Sequence, residues 1–328
     1  MEDSTSFSKT AINMKSAVSL LCSLSCAVLS AFAAQFMSLS SKSGVPGLQL
    51  VFFAKLVQFL CVLVVLPYFR PTLIPKDKVQ TMFLSLSAVT DNLGTVLAFM
   101  SFVFVVPGIA FGIIQGSEPL FTACIGLLFL KETVGVVDGC GILCSAAGVV
   151  LVAVGMSNDA ASSSQRLTVA ILLPLAAAFI RSPNNVITRL LVGVQRVHIL
   201  VITFYTQLVG TTMLLALTYI FETPRWTISA QTTGYVIGLS LCDALSAFPE
   251  KIVMQSETAG VTSTLLTLIV PLTVLLDYFF QSQFPGPMEL GGITLVVLGT
   301  AVVGGHAWWM HRQEMGHKNV LKRLNFTN

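Results

Sequence analysis

Charge is what this chain has least of: Asp, Glu, Lys and Arg make up 10% of its 328 residues, against about 25% in a water-soluble domain. With 54% hydrophobic residues beside that, a freely soluble globular protein is excluded. Long polar loops are also missing, so there is no room for an appended catalytic or ligand-binding domain of about 100 residues. No cysteine falls outside an apolar segment: Cys22, Cys26, Cys61, Cys124, Cys140, Cys144 and Cys242 form neither a disulfide framework nor a Cys/His metal pattern. They read as small packing residues, and no cofactor or metal is implied. The four histidines, His198, His306, His311 and His317, sit at the edges of apolar segments or beyond them. No Gly-x-Gly-Asp or Gly-x-Ser-x-Gly element occurs, which argues against an integral-membrane enzyme. A phosphate-binding loop and a nucleic-acid patch are absent too, so nucleic acid is not a partner and ATP-driven pumping by this chain alone is excluded.

Apolar sequence, by contrast, comes in ten runs of about 20 to 26 residues, each long enough to cross the hydrocarbon core as a helix. The expected spans are Ser16 to Met37, Leu48 to Pro67, Val79 to Val103, Val105 to Leu130, Val134 to Gly155, Thr168 to Leu191, His198 to Phe221, Thr233 to Val253, Ala259 to Phe280 and Leu290 to Met310. The fold class is therefore an all-α integral membrane protein of ten transmembrane helices, with the lipid bilayer as its first partner. Putting both termini in the cytoplasm gives that side thirteen basic residues against three, Lys42, Arg166 and Arg225, on the other. Lys9, Lys15 and Ala31-Phe32-Ala33 resemble parts of a signal peptide, but the apolar core exceeds the 7 to 15 residues of such a peptide. The first span reads as a retained helix. Nothing in the tails selects between the plasma membrane and an endomembrane, and the sequon Asn325-Phe326-Thr327 falls on the cytoplasmic side.

A shift of 152 positions aligns the second to fourth spans with the seventh to ninth without a gap. Leu48, Phe52, Leu56 and Val57 then fall on Leu200, Phe204, Leu208 and Val209, Asp91 on Asp243, Gly108 on Gly260, and Pro119-Leu120 on Pro271-Leu272. Gly141 and Gly148 match Gly292 and Gly299 at a shift of 151. The coincidence of Asp and Pro, rare inside membranes, carries the weight. Five helices per unit is an odd number, so the second unit enters from the opposite side. That is an inverted repeat, residues 16–155 and 168–310, with short tails at 1–15 and 311–328. Many secondary transporters build alternating access on this architecture.

These features resemble the drug/metabolite transporter superfamily, specifically its EamA-type members. The resemblance rests on Gly116-Ser117-Glu118-Pro119-Leu120, on Leu130-Lys131-Glu132, and on the glycine-spaced run from Gly141 through Gly148 to Gly155. The second unit keeps Pro271, Gly292 and Gly299 but has Gln283-Phe284 where the loop glutamate would stand. Among eukaryotic branches the chain looks most like the G-type members of solute carrier family 35. The ninth and tenth spans contain no Lys or Arg and no nucleotide-sugar or triose-phosphate signature.

A charge at the bilayer centre costs at least ~2.5–3.5 kcal/mol, so it normally faces the bundle interior or a water-filled cavity. Five residues meet that description: Lys55, Asp91, Glu118, Arg181 and Asp243. Lys55 and Arg181 are candidate anchors for an anionic substrate, or else buried partners of the carboxylates. Gln207, the mate of Lys55, adds a neutral hydrogen-bonding group. Asn184 and Asn185 belong to a polar interruption, Arg181-Ser182-Pro183-Asn184-Asn185, in the sixth span. Asp91, Asp243 and Glu118 serve coupling or charge balance. Pro119, Pro183 and Pro271 are candidate hinges. Asp277, Glu250 and Lys251 lie towards span ends, where water or headgroups reach them. The glycines of the fifth and tenth spans suit close packing, with a homodimer through those helices as one use. The function read from this pattern is a secondary active or facilitative carrier of a small polar metabolite, an organic anion before a cation. A non-transporting scaffold or regulator is the alternative, and a membrane enzyme a more distant one.

Overall fold

A computed structural model describes residues 3–101, 104, 107–129, 135–159, 164–256, 266–281 and 286–324. The described residues form ten helices: α1 Asp3–Lys42, α2 Gly47–Phe69, α3 Lys78–Ser101, α4 Pro107–Phe129, α5 Val136–Asp159, α6 Ser164–Arg189, α7 Ile199–Phe221, α8 Ala230–Ser256, α9 Ile269–Gln281 and α10 Pro287–Leu324. Five helical stretches are long and apolar enough to cross a bilayer: Leu21–Lys42, Gly47–Phe69, Lys78–Ser101, Ala110–Phe129 and Ile199–Phe221. Val136–Val152, Ile269–Phe280 and Pro287–Val303 are apolar but shorter. α6 and α8 miss the criterion because they carry Arg181, Asn184, Asn185, Asp243, Glu250 and Lys251. The expected loop residues Leu130-Lys131-Glu132 and Gln283-Phe284, the start of the ninth span with Gly260, and the sequon all lie outside the described residues.

The burial pattern is that of a protein whose solvent is hydrocarbon. Within α2, Val64 is 78% exposed whereas Lys55 is 6% exposed. Leu86, Leu172, Phe179, Leu241 and Phe279 likewise point outwards, while Gln35, Gln49, Asn92, Gln115 and Thr206 are buried. Apolar side chains cost nothing against lipid, and polar ones must find partners inside.

Most packing joins the two halves of the chain. α1 packs on α8 and α3 on α6; α4 packs on α6 and α1 on α9; α2 packs on α8 and α3 on α7; α2 meets α7, α4 meets α9, and α5 meets α10. Exchanging the first five helices with the last five returns the same set of pairs. Apolar clusters fill the spaces, one around Met37, Leu50, Phe52 and Leu214, another around Leu84, Leu191 and Ile202.

α5 and α10 touch through glycine. A Cβ on Gly148 would lie 2.6 Å from the Gly292 carbonyl oxygen and 2.8 Å from the Val296 nitrogen, and one on Gly141 would lie 2.9 Å from the Gly299 carbonyl oxygen. Those backbones approach as closely as small-residue membrane interfaces allow. The glycine faces are therefore spent inside one chain.

One expectation needs correction. α6 is not interrupted at Ser182-Pro183-Asn184-Asn185 but runs unbroken to Arg189 and passes into a π-turn over Leu190–Val194. The Ser182 hydroxyl turns back along the helix and donates to the Ala178 carbonyl at 2.7 Å. Helix also extends through residues 3–15 and 311–324, so both tails continue α1 and α10.

The glycine contact makes a direct prediction. Gly148→Ala must push backbone apart and should cost about 1–3 kcal/mol, whereas a Cβ on Gly139 meets nothing within 4 Å. Thermal unfolding of the purified protein in detergent should show a lowered midpoint for Gly148→Ala and an unchanged one for Gly139→Ala. Equal midpoints would contradict the packing described.

Candidate functional site

Eight of the ten described helices, all but α5 and α10, line one cavity that opens to the outside at its mouth. Helical periodicity puts the right residues on its wall. On α8, Asp243, Ser246, Ala247, Glu250 and Lys251 follow each other at the spacing of a single face; on α4, Phe111, Gln115 and Glu118 do the same. All five charges singled out in the sequence, Lys55, Asp91, Glu118, Arg181 and Asp243, line this cavity, and so does Gln207.

Each buried carboxylate is held by an amide. Lys55 Nζ lies 3.1 Å from Asp91 Oδ2, with Lys55 buried and Asp91 half-buried. Asn184 Nδ2 donates to the other oxygen, Asp91 Oδ1, at 3.0 Å, and Ser87 fixes Asn184 by donating to its Oδ1 at 2.6 Å. Asn185 Nδ2 donates to Glu118 Oε1 at 2.6 Å. Gln58 Nε2 donates to Asp243 Oδ2 at 2.6 Å and to the Asp243 carbonyl at 3.0 Å. Asn184 and Asn185 are not among the cavity-lining residues; their amides orient the carboxylates that are. Sequence reasoning paired Lys55 with Asp91 as one of two options, and the geometry realises that pairing.

Arg181 is treated differently. Among the described residues no carboxylate oxygen comes within 4.0 Å of its guanidinium. Its stem crosses α3 at Gly94, where any Cβ would collide with Arg181 Cγ. The head faces Glu118, Glu250, Asp91 and Asp243 without closing on any of them. Lys251, 7% exposed, lines the same cavity and faces Asp91. Two cations are thus presented to the hollow without an ion-pair partner among the described residues. Gln115 lines it too, and Gln207 Oε1 is a buried acceptor with no donor among the described residues.

Lys251 and Asp277 correct the sequence reading, which placed them at accessible span ends. Lys251 is in the cavity wall, and Asp277, 5% exposed, accepts from Gln35 Nε2 at 2.5 Å across the α1–α9 contact. α8 runs to Ser256, beyond the expected Val253, so Lys251 is not at its end. The seven- and eight-residue steps from Asp243 to Glu250 and Lys251 would have found both. Gly94 left no signal, because one glycine in an apolar run does not announce the side chain that crosses it.

One end of the bundle is fastened by a clasp. Glu222, just after α7, accepts the Leu48 N–H at 3.0 Å and the Gln49 N–H at 3.3 Å through Oε2, so a carboxylate caps the start of α2. Gln49 Nε2 donates to the Arg225 carbonyl at 2.8 Å, and the Arg225 N–H donates back to Gln49 Oε1 at 2.9 Å. At the other end the tie is lighter: Tyr205 donates to the Leu73 carbonyl at 3.2 Å.

Comparison with known proteins agrees with this architecture. Residues 17–154 match the EamA-like transporter family. A crystal structure of a protein 17% identical to this chain superposes with a TM-score of 0.70, covering 89% of this chain and 98% of that one, which shows a shared fold. The first five-helix stretch, residues 17–154, is thus similar to the EamA-like transporter family. That is a family of membrane transporters and not of enzymes.

The Lys55–Asp91 contact is testable by a double-mutant cycle. Lys55→Met should lower stability by about 3–5 kcal/mol, since it strands a buried carboxylate. Adding Asp91→Asn should recover most of the loss in detergent melting experiments. Additive losses would contradict the pairing.

Proposed function

We propose that this protein is a secondary or facilitative carrier that moves a small organic anion by alternating access around the cavity. The observation that carries the reading is the pair of cations, Arg181 and the buried Lys251, lining one hollow without ion-pair partners among the described residues. A guanidinium grips a carboxylate or phosphate through two parallel hydrogen bonds. Lys251 supplies a second charge from α8, and Gln207 and Gln115 supply hydrogen-bonding groups. Lys55 acts mainly through Asp91, and Asn184 and Asn185 act by positioning carboxylates.

The exchange symmetry of the helix pairs supports an inverted repeat of residues 16–155 and 168–310. On that frame the two halves rock about the cavity, and the Glu222–Gln49 clasp is a gate that opens in the opposite state. Pro119 lies one residue from Glu118 and Pro183 two from Arg181, so bending at either hinge would move a charged group. Pro271 occupies the corresponding place in the first turn of α9. Both termini are cytoplasmic on this reading. Moving Lys251 into the cavity leaves twelve basic residues against three, so the charge argument is unaffected. By its sequence features the chain resembles the G-type branch of solute carrier family 35, and we place it there as part of this proposal. A homodimer would use the outward faces of α5 and α10, because their glycines are already paired.

Proteoliposomes loaded with a panel of labelled di- and tricarboxylates and sugar phosphates test the function. Uptake of the accepted anion should saturate, and Arg181→Met and Lys251→Met should each reduce it roughly tenfold or more, as loss of a charged hydrogen bond implies. The folded fraction on size exclusion should stay intact. Unchanged flux in both variants would refute the anion reading.

A further inference from the structure

Glu118 differs from the other carboxylates of the cavity. It is 3% exposed, and its Oε2 is buried with no hydrogen-bond partner among the described residues. Asp91 has a permanent cation in Lys55, and Asp243 accepts from Gln58 at Oδ2 with neither of its carboxylate oxygens buried and unpartnered, unlike Glu118 Oε2. Glu118 has one neutral donor, Asn185. Arg181 faces it from α6, while Glu250 from α8 and Asp91 from α3 face it with like charge. The cavity it lines also holds Lys251 and Asp243 on α8 and Lys55 on α2, the last of these tied to Asp91. The compensation of this carboxylate therefore rests on a guanidinium that is not bonded to it.

We propose that Glu118 is the proton site of the carrier, taking up a proton when an anion engages Arg181, so that anion and proton cross together. This rests on the anion reading above. When the anion draws the guanidinium away, Glu118 is left beside two carboxylates with a single amide donor, and a bound proton replaces the missing positive charge. A proton from the water at the cavity mouth bonds to Oε2, and the resulting O–H becomes a donor where none existed. On the opposite side the anion leaves, Arg181 faces Glu118 again, and the proton returns to water. The two bindings assist each other equally, as linkage requires. Glu118 also ties the step to motion. Its carbonyl accepts from Ser182 Oγ at 3.3 Å, joining the turn before Pro119 to the residue after Arg181.

The test uses full-length protein in liposomes with trapped pyranine, the potential held by potassium and valinomycin, and malate, citrate, phosphate or glucose 6-phosphate added outside. The wild type should acidify the lumen as it takes up an accepted anion, with no imposed pH gradient. Glu118→Gln should lower the protons carried per anion by roughly tenfold. Should that variant carry too little anion for a ratio, Asn185→Leu serves instead. It removes the donor that holds the charged form, so the pH midpoint of uptake should rise by roughly one unit. Anion uptake without acidification, an undiminished ratio in Glu118→Gln, or an unmoved profile in Asn185→Leu would overturn the proton site alone. No flux of any of these anions would overturn the anion reading, and the proton site with it.

Discussion

A polar group in hydrocarbon has to be answered by another polar group, and that one constraint orders this structure from the outside in. Leu, Val and Phe cover the surface because lipid tolerates them. Lys55, Asp91, Gln58 and Asp243 meet inside because nothing else will. The amides of Asn184, Asn185 and Gln58 do for three carboxylates what water does at the surface of a soluble protein. Arg181 and Lys251 are then conspicuous, because the same rule leaves them facing space rather than a bonded partner. A cation kept in that condition is poised for a charge that comes and goes.

The fold was legible because span length and intramembrane Asp and Pro leave a strong imprint on sequence. Ten apolar runs gave ten helices among the described residues, and the pairing of Asp91 with Asp243 placed both on one cavity. The site was half legible. Rarity singled out Lys55, Glu118 and Arg181, but rarity does not say which charges pair. Lys251 was assigned to an accessible end because distance along the chain was taken for depth, and α8 is longer than its apolar stretch. Ser182-Pro183-Asn184-Asn185 looked like a break because its polarity was read as backbone disruption, whereas its polarity serves the neighbouring helices. The Glu222–Gln49 clasp joins residues 173 positions apart and has no local signature.

Charge arithmetic gives the cavity its character. Lys55, Arg181 and Lys251 stand against Asp91, Glu118, Asp243 and Glu250 on its wall. With Lys55 and Asp91 cancelling, two cations face three carboxylates, so an arriving anion finds strong local attraction in surroundings that do not favour more negative charge. Such a site binds readily and releases readily, which is what a carrier needs. The glycine seam between α5 and α10, outside the cavity lining, holds the two halves of the chain together along one edge.

The central claim is that this hollow is a chamber reached from each side of the membrane in turn. Single cysteines at Ala54 on α2 and Ala247 on α8, both on its wall, can be placed in a chain whose own seven cysteines are replaced. Their reaction with a membrane-impermeant thiol reagent can then be followed from either face. Labelling of the same position from both faces, slowed by the transported anion, is the predicted result. Cysteines that react from neither face, or from one face only under every condition, would contradict it.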